Sequence, residues 1–306
     1  MNIYVTLAIS MAASLAVTLF RKAFAGKGGE SVLSRHIFNA GVSLIAAIIL
    51  FAWNGFNFSA SLFTIILGII FGLVVAIQHI ANLKAVTVGP LSYTTVIISL
   101  STIIPALSGA LIWNEEIAII QIVGIALMML CLVLSVNKDT GGKKASFAWL
   151  IYCGIAFLFC GLIGVMQKFH QNSDYALEIT EFLVTAFVAS LLYSVISAII
   201  YALSQSKKDA DNAPEKSVKA DIRESFLPST LLMMLVCGAG SAINHRLNLF
   251  LSGVIPSAIF FPVVNGGGLI LVTVCALIFF KERLTIKQWI GLFVGIVSVV
   301  LLCNPF

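Results

Sequence analysis

Two short phrases hold much of the polar chemistry buried in apolar sequence. "QHIAN" supplies Gln78, His79 and Asn82, and "NHRLN" supplies Asn244, His245 and Asn248. Amides and imidazoles offer hydrogen-bond donors and acceptors. At helical spacing, residues three or four apart share a face. Such clusters suit two tasks: ringing a small polar solute, or tying helices together. A third stretch, "FFPVVNGGG" at 260–268, sets Asn265 between a proline and three glycines. Pro262 removes a helical hydrogen bond, and the glycines loosen the next turn. A broken or bent helix there would free backbone carbonyls for a ligand. The other reading is that Gly266–Gly268 let two helices pack closely. Carboxylates are scarce. Glu178 and Glu181 follow Asp174 and His170 just before an apolar run. A partly buried Glu181 or Glu178 would serve as a proton or cation site. Otherwise these acids stabilise a helix start through its dipole.

What is missing also limits the chemistry. His79 has no acidic neighbour in sequence, so the pattern does not read as an enzyme. The six cysteines, at 131, 153, 160, 237, 275 and 303, all fall in apolar runs with no Cys/His ligand spacing. Neither a metal nor a disulfide is expected. No glycine-rich phosphate loop precedes a Lys-Ser or Lys-Thr pair, so no ATP hydrolysis and no cofactor is expected.

The elements that carry these residues are membrane spans. The chain of 306 residues is 60% hydrophobic and 10% charged, against about 25% charged in soluble domains. Its net charge of +5 is therefore loop charge in a lipid bilayer, not a nucleic-acid signal. Apolar runs occur near 3–21, 34–53, 62–82, 89–112, 117–136, 147–167, 180–203, 228–250, 254–280 and 286–303. Each has roughly the 18–25 residues that cross the hydrocarbon as helix. The expected fold is all-α, with ten transmembrane helices. Trp53, Trp113, Trp149 and Trp289 mark span ends, where indoles anchor at headgroups. Tyr93 and Tyr152 lie a few residues inside spans.

Loop charge orients the spans. Sixteen of the 18 Lys and Arg residues fall on one side, around 21–35, 84, 138–144, 207–223 and 281–287. Lys168 and Arg246 remain on the other. Basic loops stay cytoplasmic, so both termini are expected outside, with 204–226 a mobile cytoplasmic linker.

The sequence also repeats. An offset of 166 carries 78–116 onto 244–282 without a gap, matching His79 with His245, Asn82 with Asn248, Pro90 with Pro256 and Glu116 with Glu282. Ser99 falls on Asn265. After one inserted residue, Gln121 and Gly124 match Gln288 and Gly291. A repeat of five spans re-enters the membrane upside down. The expected halves are 1–140 and 141–306, two inverted five-helix repeats. That is a usual construction of secondary transporters. Glu116 and Glu282 are expected to cap or pair at the short turns.

The "FFKERLTIKQWIG" and "NEEIAIIQIVG" turns, closing two five-span halves, resemble the drug/metabolite transporter superfamily, EamA-like branch. The resemblance covers essentially the whole chain. It implies alternating access and transport of a small molecule such as an amino acid or amine across the cytoplasmic membrane, by a monomer or homodimer. Smaller relatives keep a carboxylate in the first span, and "YVTLAISMAASLAVTLF" has none. The expected substrate site is Gln78, His79, Asn82, Tyr93, Ser99, Asn244, His245 and Asn265. The alternative is a flippase of a lipid-linked substrate, which needs a basic residue at membrane depth. No Lys or Arg stands clearly at mid-span.

Overall fold

The structure is a computed structural model that describes residues 2–27, 31–88, 94, 97–134, 146–208, 218–279 and 285–302. All regular elements among them are helical. They are α1 (Ile3–Lys27), α2 (Val32–Trp53), α3 (Leu62–Val88), α4 (Ile103–Trp113) entered through a 3-10 turn at Leu100–Thr102, α5 (Ile119–Leu134), α6 (Phe147–Gln171), α7 (Ile179–Lys208), α8 (Val218–Ser225), α9 (Pro228–Val254), α10 (Ser257–Phe279) and α11 (Ile286–Leu302). Helices α1, α2, α3, α6 and α7 each hold an apolar stretch of membrane-spanning length. The chain is a multi-pass membrane protein.

The apolar runs foretell most helix limits, with three differences. Helix α1 continues six residues past its apolar run, to Lys27, so Arg21 belongs to a helix rather than a loop. Within the linker at 204–226, Val218–Ser225 forms a helix, α8. That segment is amphipathic, with Asp221 and Ser225 buried and Ile222 and Arg223 exposed, and Ser31 Oγ donates to Asp221 across 2.5 Å. Helix α10 runs unbroken through Pro262 and the glycines. The irregularity falls instead in the 3-10 turn at Leu100–Thr102. Tyr93 and the basic turn at 281–283 lie outside the described residues.

The chain forms two compact units. One comprises Met1–Leu7, Val74–Ala176 and Leu249–Phe306; the other comprises Ala8–Leu73 and Leu177–Asn248. In the second unit, α2 and α7 lie antiparallel, joined by Asn39 Nδ2 to Ser194 Oγ at 2.8 Å and by the Ser43 and Ser190 hydroxyls at 3.1 Å. Helix α3 approaches α7 through Gly68 and Gly72. A Cβ on Gly72 would sit 2.6 Å from the Ala186 carbonyl oxygen, and one on Gly68 2.9 Å from that of Phe182. This is small-residue packing at four-residue spacing, which lets backbones come close in a membrane. Phe24, stacked on Phe38 at 3.9 Å, joins Val42, Met233, Met234 and Cys237 in a core cluster.

In the first unit, α5 and α11 lie antiparallel. Ser298 Oγ donates to the Gly124 carbonyl at 2.7 Å, and Gly124 faces Leu302. The same helices explain the repeated glutamine. Gln121 Oε1 accepts from the Ala118 N–H at 3.1 Å, and Gln288 Oε1 from the Thr285 N–H at 2.9 Å. Each glutamine reaches back to a donor at its own helix start, one half of a capping box. The glycine three residues later, Gly124 or Gly291, is buried. The Q-x-x-G phrase therefore starts a helix and then lets it pack.

Gly266 is a packing residue too: a Cβ there would run into Met128. A Cβ on Gly268 would meet nothing within 4 Å. Trp149 is not an interfacial anchor. It is buried, and its Nε1 donates to Thr94 Oγ1 at 2.8 Å.

Gly72→Leu is expected to lower stability by about 1–3 kcal/mol, because a backbone carbonyl cannot move aside as a side chain can. Gly154→Ala, where a Cβ meets nothing within 4 Å, is expected to be neutral or slightly stabilising. Thermal unfolding of the purified variants in one detergent compares them.

Candidate functional site

Polar side chains at depth in the second unit gather where α1 meets α9. Ser10 Oγ donates to Asn248 Oδ1 at 2.5 Å, and Asn248 Nδ2 donates to Asn244 Oδ1 at 2.6 Å. Further along the antiparallel pair, Cys237 Sγ lies 3.8 Å from the Val17 carbonyl, and a Cβ on Gly240 would lie 2.7 Å from Val17 Cγ2. Ser10, Ser14, Val17, Arg21 and Phe24 recur every three or four residues, so one face of α1 carries them all. That face brings Arg21 against α9, where its side chain is half-buried and its Nε is fully buried without a hydrogen-bond partner. Its charge acts on Cys237 and His245. The sequence reading placed Arg21 in a loop and missed it. The signal was present in the serine spacing along the same face.

One turn of α9 sends its polar side chains three ways. Asn244 and Asn248 join the α1 seam. His245 meets Phe187 of α7 edge-on, with ring centroids 5.5 Å apart. Arg246 donates to Thr180 Oγ1 and lies 5.0 Å from the Trp53 ring centroid. Glu181 supplies an opposite charge nearby. Its Oε1 accepts from Asn54 Nδ2 at 2.7 Å. Glu178 Oε2 accepts from the N–H and hydroxyl of Ser61 at 3.0 and 2.8 Å. Both carboxylates therefore tie the α2–α3 connection to the start of α7. The hydroxyls of Ser61 and Thr64 extend that cap.

In the first unit the candidates separate. Gln78 is buried, Asn82 half-buried and His79 exposed, so the adjacent Gln78 and His79 occupy different surroundings. Asn265 is exposed, and its Nδ2 donates to the Phe261 carbonyl at 3.0 Å, one turn back on the same helix. Ser99 is half-buried and precedes the 3-10 turn, in which the Thr102 hydroxyl is buried without a hydrogen-bond partner.

The dominant electrostatic feature of this unit is a pair that the sequence reading did not join. Lys168 Nζ lies 2.5 Å from Glu115 Oε1, with the two side chains 5% and 15% exposed. Glu115 Oε2 also accepts the Ser257 N–H at 2.7 Å. One carboxylate therefore neutralises the lysine and caps the start of α10, where an anion is favoured. Asn114 turns the chain in a left-handed conformation, φ 51°, to deliver it. Glu116, expected to do this work, is exposed instead. Gly109 leaves the room, since a Cβ there would collide with the Glu115 carboxylate.

A separate cleft of about 230 Å³ lies in the second unit between α1, α2, α8 and α9, lined by Phe24, Ser34, Glu224, Ser225, Thr230 and Met233 among others. It contains none of the residues singled out from sequence. No group of His, Cys, Asp and Glu able to hold a metal occurs among the described residues.

No family model matches the chain, and no curated protein matches it. Solved structures do: 28 chains match by fold. One crystal structure of a protein superposes with a TM-score of 0.72 at 14% identity, over 98% of this chain and 96% of the other. This chain therefore shares a fold with that protein across nearly its whole length.

Lys168→Met is expected to destabilise the protein by about 3–5 kcal/mol, since it leaves a buried carboxylate unpaired. Adding Glu115→Gln to that variant should recover much of the loss, because the amide is neutral and still accepts the Ser257 N–H. A double-mutant cycle on unfolding midpoints measures the coupling.

Proposed function

We propose that the protein is a secondary transporter that moves a small polar metabolite across the cytoplasmic membrane by alternating access between two inverted five-helix repeats. The observation that carries this reading is the pairing of equivalent spans. Counting spans by the repeat, the second of one half and the second of the other are α2 and α7, and they pack antiparallel. The fifth spans, α5 and α11, do the same. So do the fourth, α4 and α10, where Gly109 faces Ser257 and Pro105 shares a neighbour with Phe261. An in-plane pseudo-two-fold axis would set each of these equivalent spans antiparallel, so the pairings support the reading. Inverted repeats place the substrate near the midplane. The resemblance of the closing turns to EamA-like transporters favours the same reading.

The charge asymmetry supports an orientation with both termini extracytoplasmic. The two basic residues that depart from it, Lys168 and Arg246, are both compensated within the fold. Substrate contacts are assigned to Gln78, His79, Asn82, Tyr93, Ser99, Asn244, His245 and Asn265. Glu178 and Glu181 remain the acidic candidates for ion coupling.

Two measurements test the reading. Leu177→Cys, in the exposed α6–α7 connection, should react with an impermeant maleimide from outside intact cells, and Arg223→Cys only after permeabilisation. The reverse pattern overturns the orientation. Proteoliposomes should show saturable flux of at least one member of a panel of amino acids, amines and sugars. His79→Ala or Asn265→Ala should weaken apparent affinity about tenfold, the effect of one lost hydrogen bond to a polar solute.

A further inference from the structure

We propose that Arg21 binds an anionic group of the transported molecule, a carboxylate or a phosphate; this rests on the transport reading above. The two basic residues that depart from the charge asymmetry have their charge answered inside the fold. Lys168 has Glu115, and Arg246 has Thr180, the Trp53 ring and nearby Glu181. Arg21 forms no ion pair among the described residues, and its Nε is buried without a partner. A guanidinium cannot escape the cost by losing its proton. Withdrawing part of a cation from water without a counter-charge among the described residues costs free energy, and an occupant that brings the opposite charge would offset that cost.

Local geometry sets the direction. Side chains on a helix lean toward its N-terminus. For α1 that direction runs from Arg21 toward Ser14 and Ser10, into the span and along the seam with α9. Arginines near helix ends can also lean outward to the headgroups; one turn beyond Arg21 on that side lies the apolar cluster of Phe24, Phe38 and Met233. The Asn244–Asn248–Ser10 chain continues along the same two helices. The planar fork of Arg21 suits an oxyanion bidentately. The amides and the imidazole suit the uncharged polar remainder of the same molecule.

The oxyanion can arrive on a soluble metabolite or on a lipid. The test uses the full-length protein in detergent and reads thermal unfolding against matched pairs. Succinate, glutamate and 3-phosphoglycerate are each offered beside the uncharged amide or alcohol, and a polyprenyl phosphate beside its polyprenol. At saturation, at least one anionic member should raise the midpoint by about 2–4 °C while its neutral counterpart does not. Arg21→Gln should abolish the shift, and Arg21→Lys should retain part of it with affinity lowered about tenfold. Should Arg21→Gln fail to fold, the Arg21→Lys affinity decides.

The proposal fails if only neutral or cationic compounds shift the midpoint. It also fails if no anion does, or if the shift by an anion is the same in both variants as in the wild type. A soluble acid that shifts and a lipid phosphate that does not assigns the site to a metabolite, and the converse assigns it to a lipid-linked substrate. Amines carried in proteoliposomes without anion binding would leave transport standing and remove this site. Acids bound through Arg21 without flux would do the opposite.

Discussion

In hydrocarbon, a polar atom must find its partner within the protein, because lipid tails offer none. That constraint organises the helices. Asn39 and Ser194, Ser43 and Ser190, and Ser10 with Asn248 each join two spans that are otherwise apolar. Hydroxyl and amide side chains are short, so such bonds require helix axes to lie close. Gly68, Gly72, Gly124 and Gly240 provide that approach by presenting backbone where a side chain would hold the neighbour away. Serines and glycines therefore act together: one supplies the bond and the other the distance.

At the helix ends the same need is met by carboxylates. Glu115, Glu178 and Glu181 each accept hydrogen bonds from a segment remote in sequence. Glu115 also neutralises Lys168. A carboxylate has several acceptor positions, so it can satisfy a helix start and a cation at once. This explains why the basic residues that interrupt the charge asymmetry are tolerated. It also explains why the acids before α7 are better described as connectors of α2, α3 and α7 than as an open acidic patch.

The transport reading and the anion proposal meet at one tension. A membrane span that keeps Arg21 against α9 with no counter-charge among the described residues gives up some stability. Were the protein a carrier of anions, as proposed, that cost would become binding free energy on arrival of the anion, with a neutral pair replacing the lone cation. Differential affinity of this kind is what allows a ligand to shift a conformational equilibrium. The neighbouring amides and imidazole add direction to the contact without adding charge.

How much was legible in the sequence follows from the range over which each signal acts. Apolar run length is local, and it placed most helices to within a few residues. The glutamine of each closing turn is local as well, since it bonds three residues back. Repeat matching located the polar pairs His79 with His245 and Asn82 with Asn248, yet it could not say that Gln78 is buried and His79 exposed. Side-chain direction around a helix is settled by the neighbour that each face meets. The unbroken course of α10 through Pro262 was equally out of reach, because proline removes one bond while the helix keeps its packing, Gly266 against Met128 and Phe261 against Gly164. The sequence by itself determined a multi-span helical membrane protein, its helix starts and its polar residues. Only the tertiary structure decided that Glu115 answers Lys168, that Trp149 turns inward to Thr94, and that Arg21 forms no ion pair among the described residues. Electrostatic and hydrogen-bond partners are chosen by proximity in space, which composition and spacing along one strand of sequence do not encode.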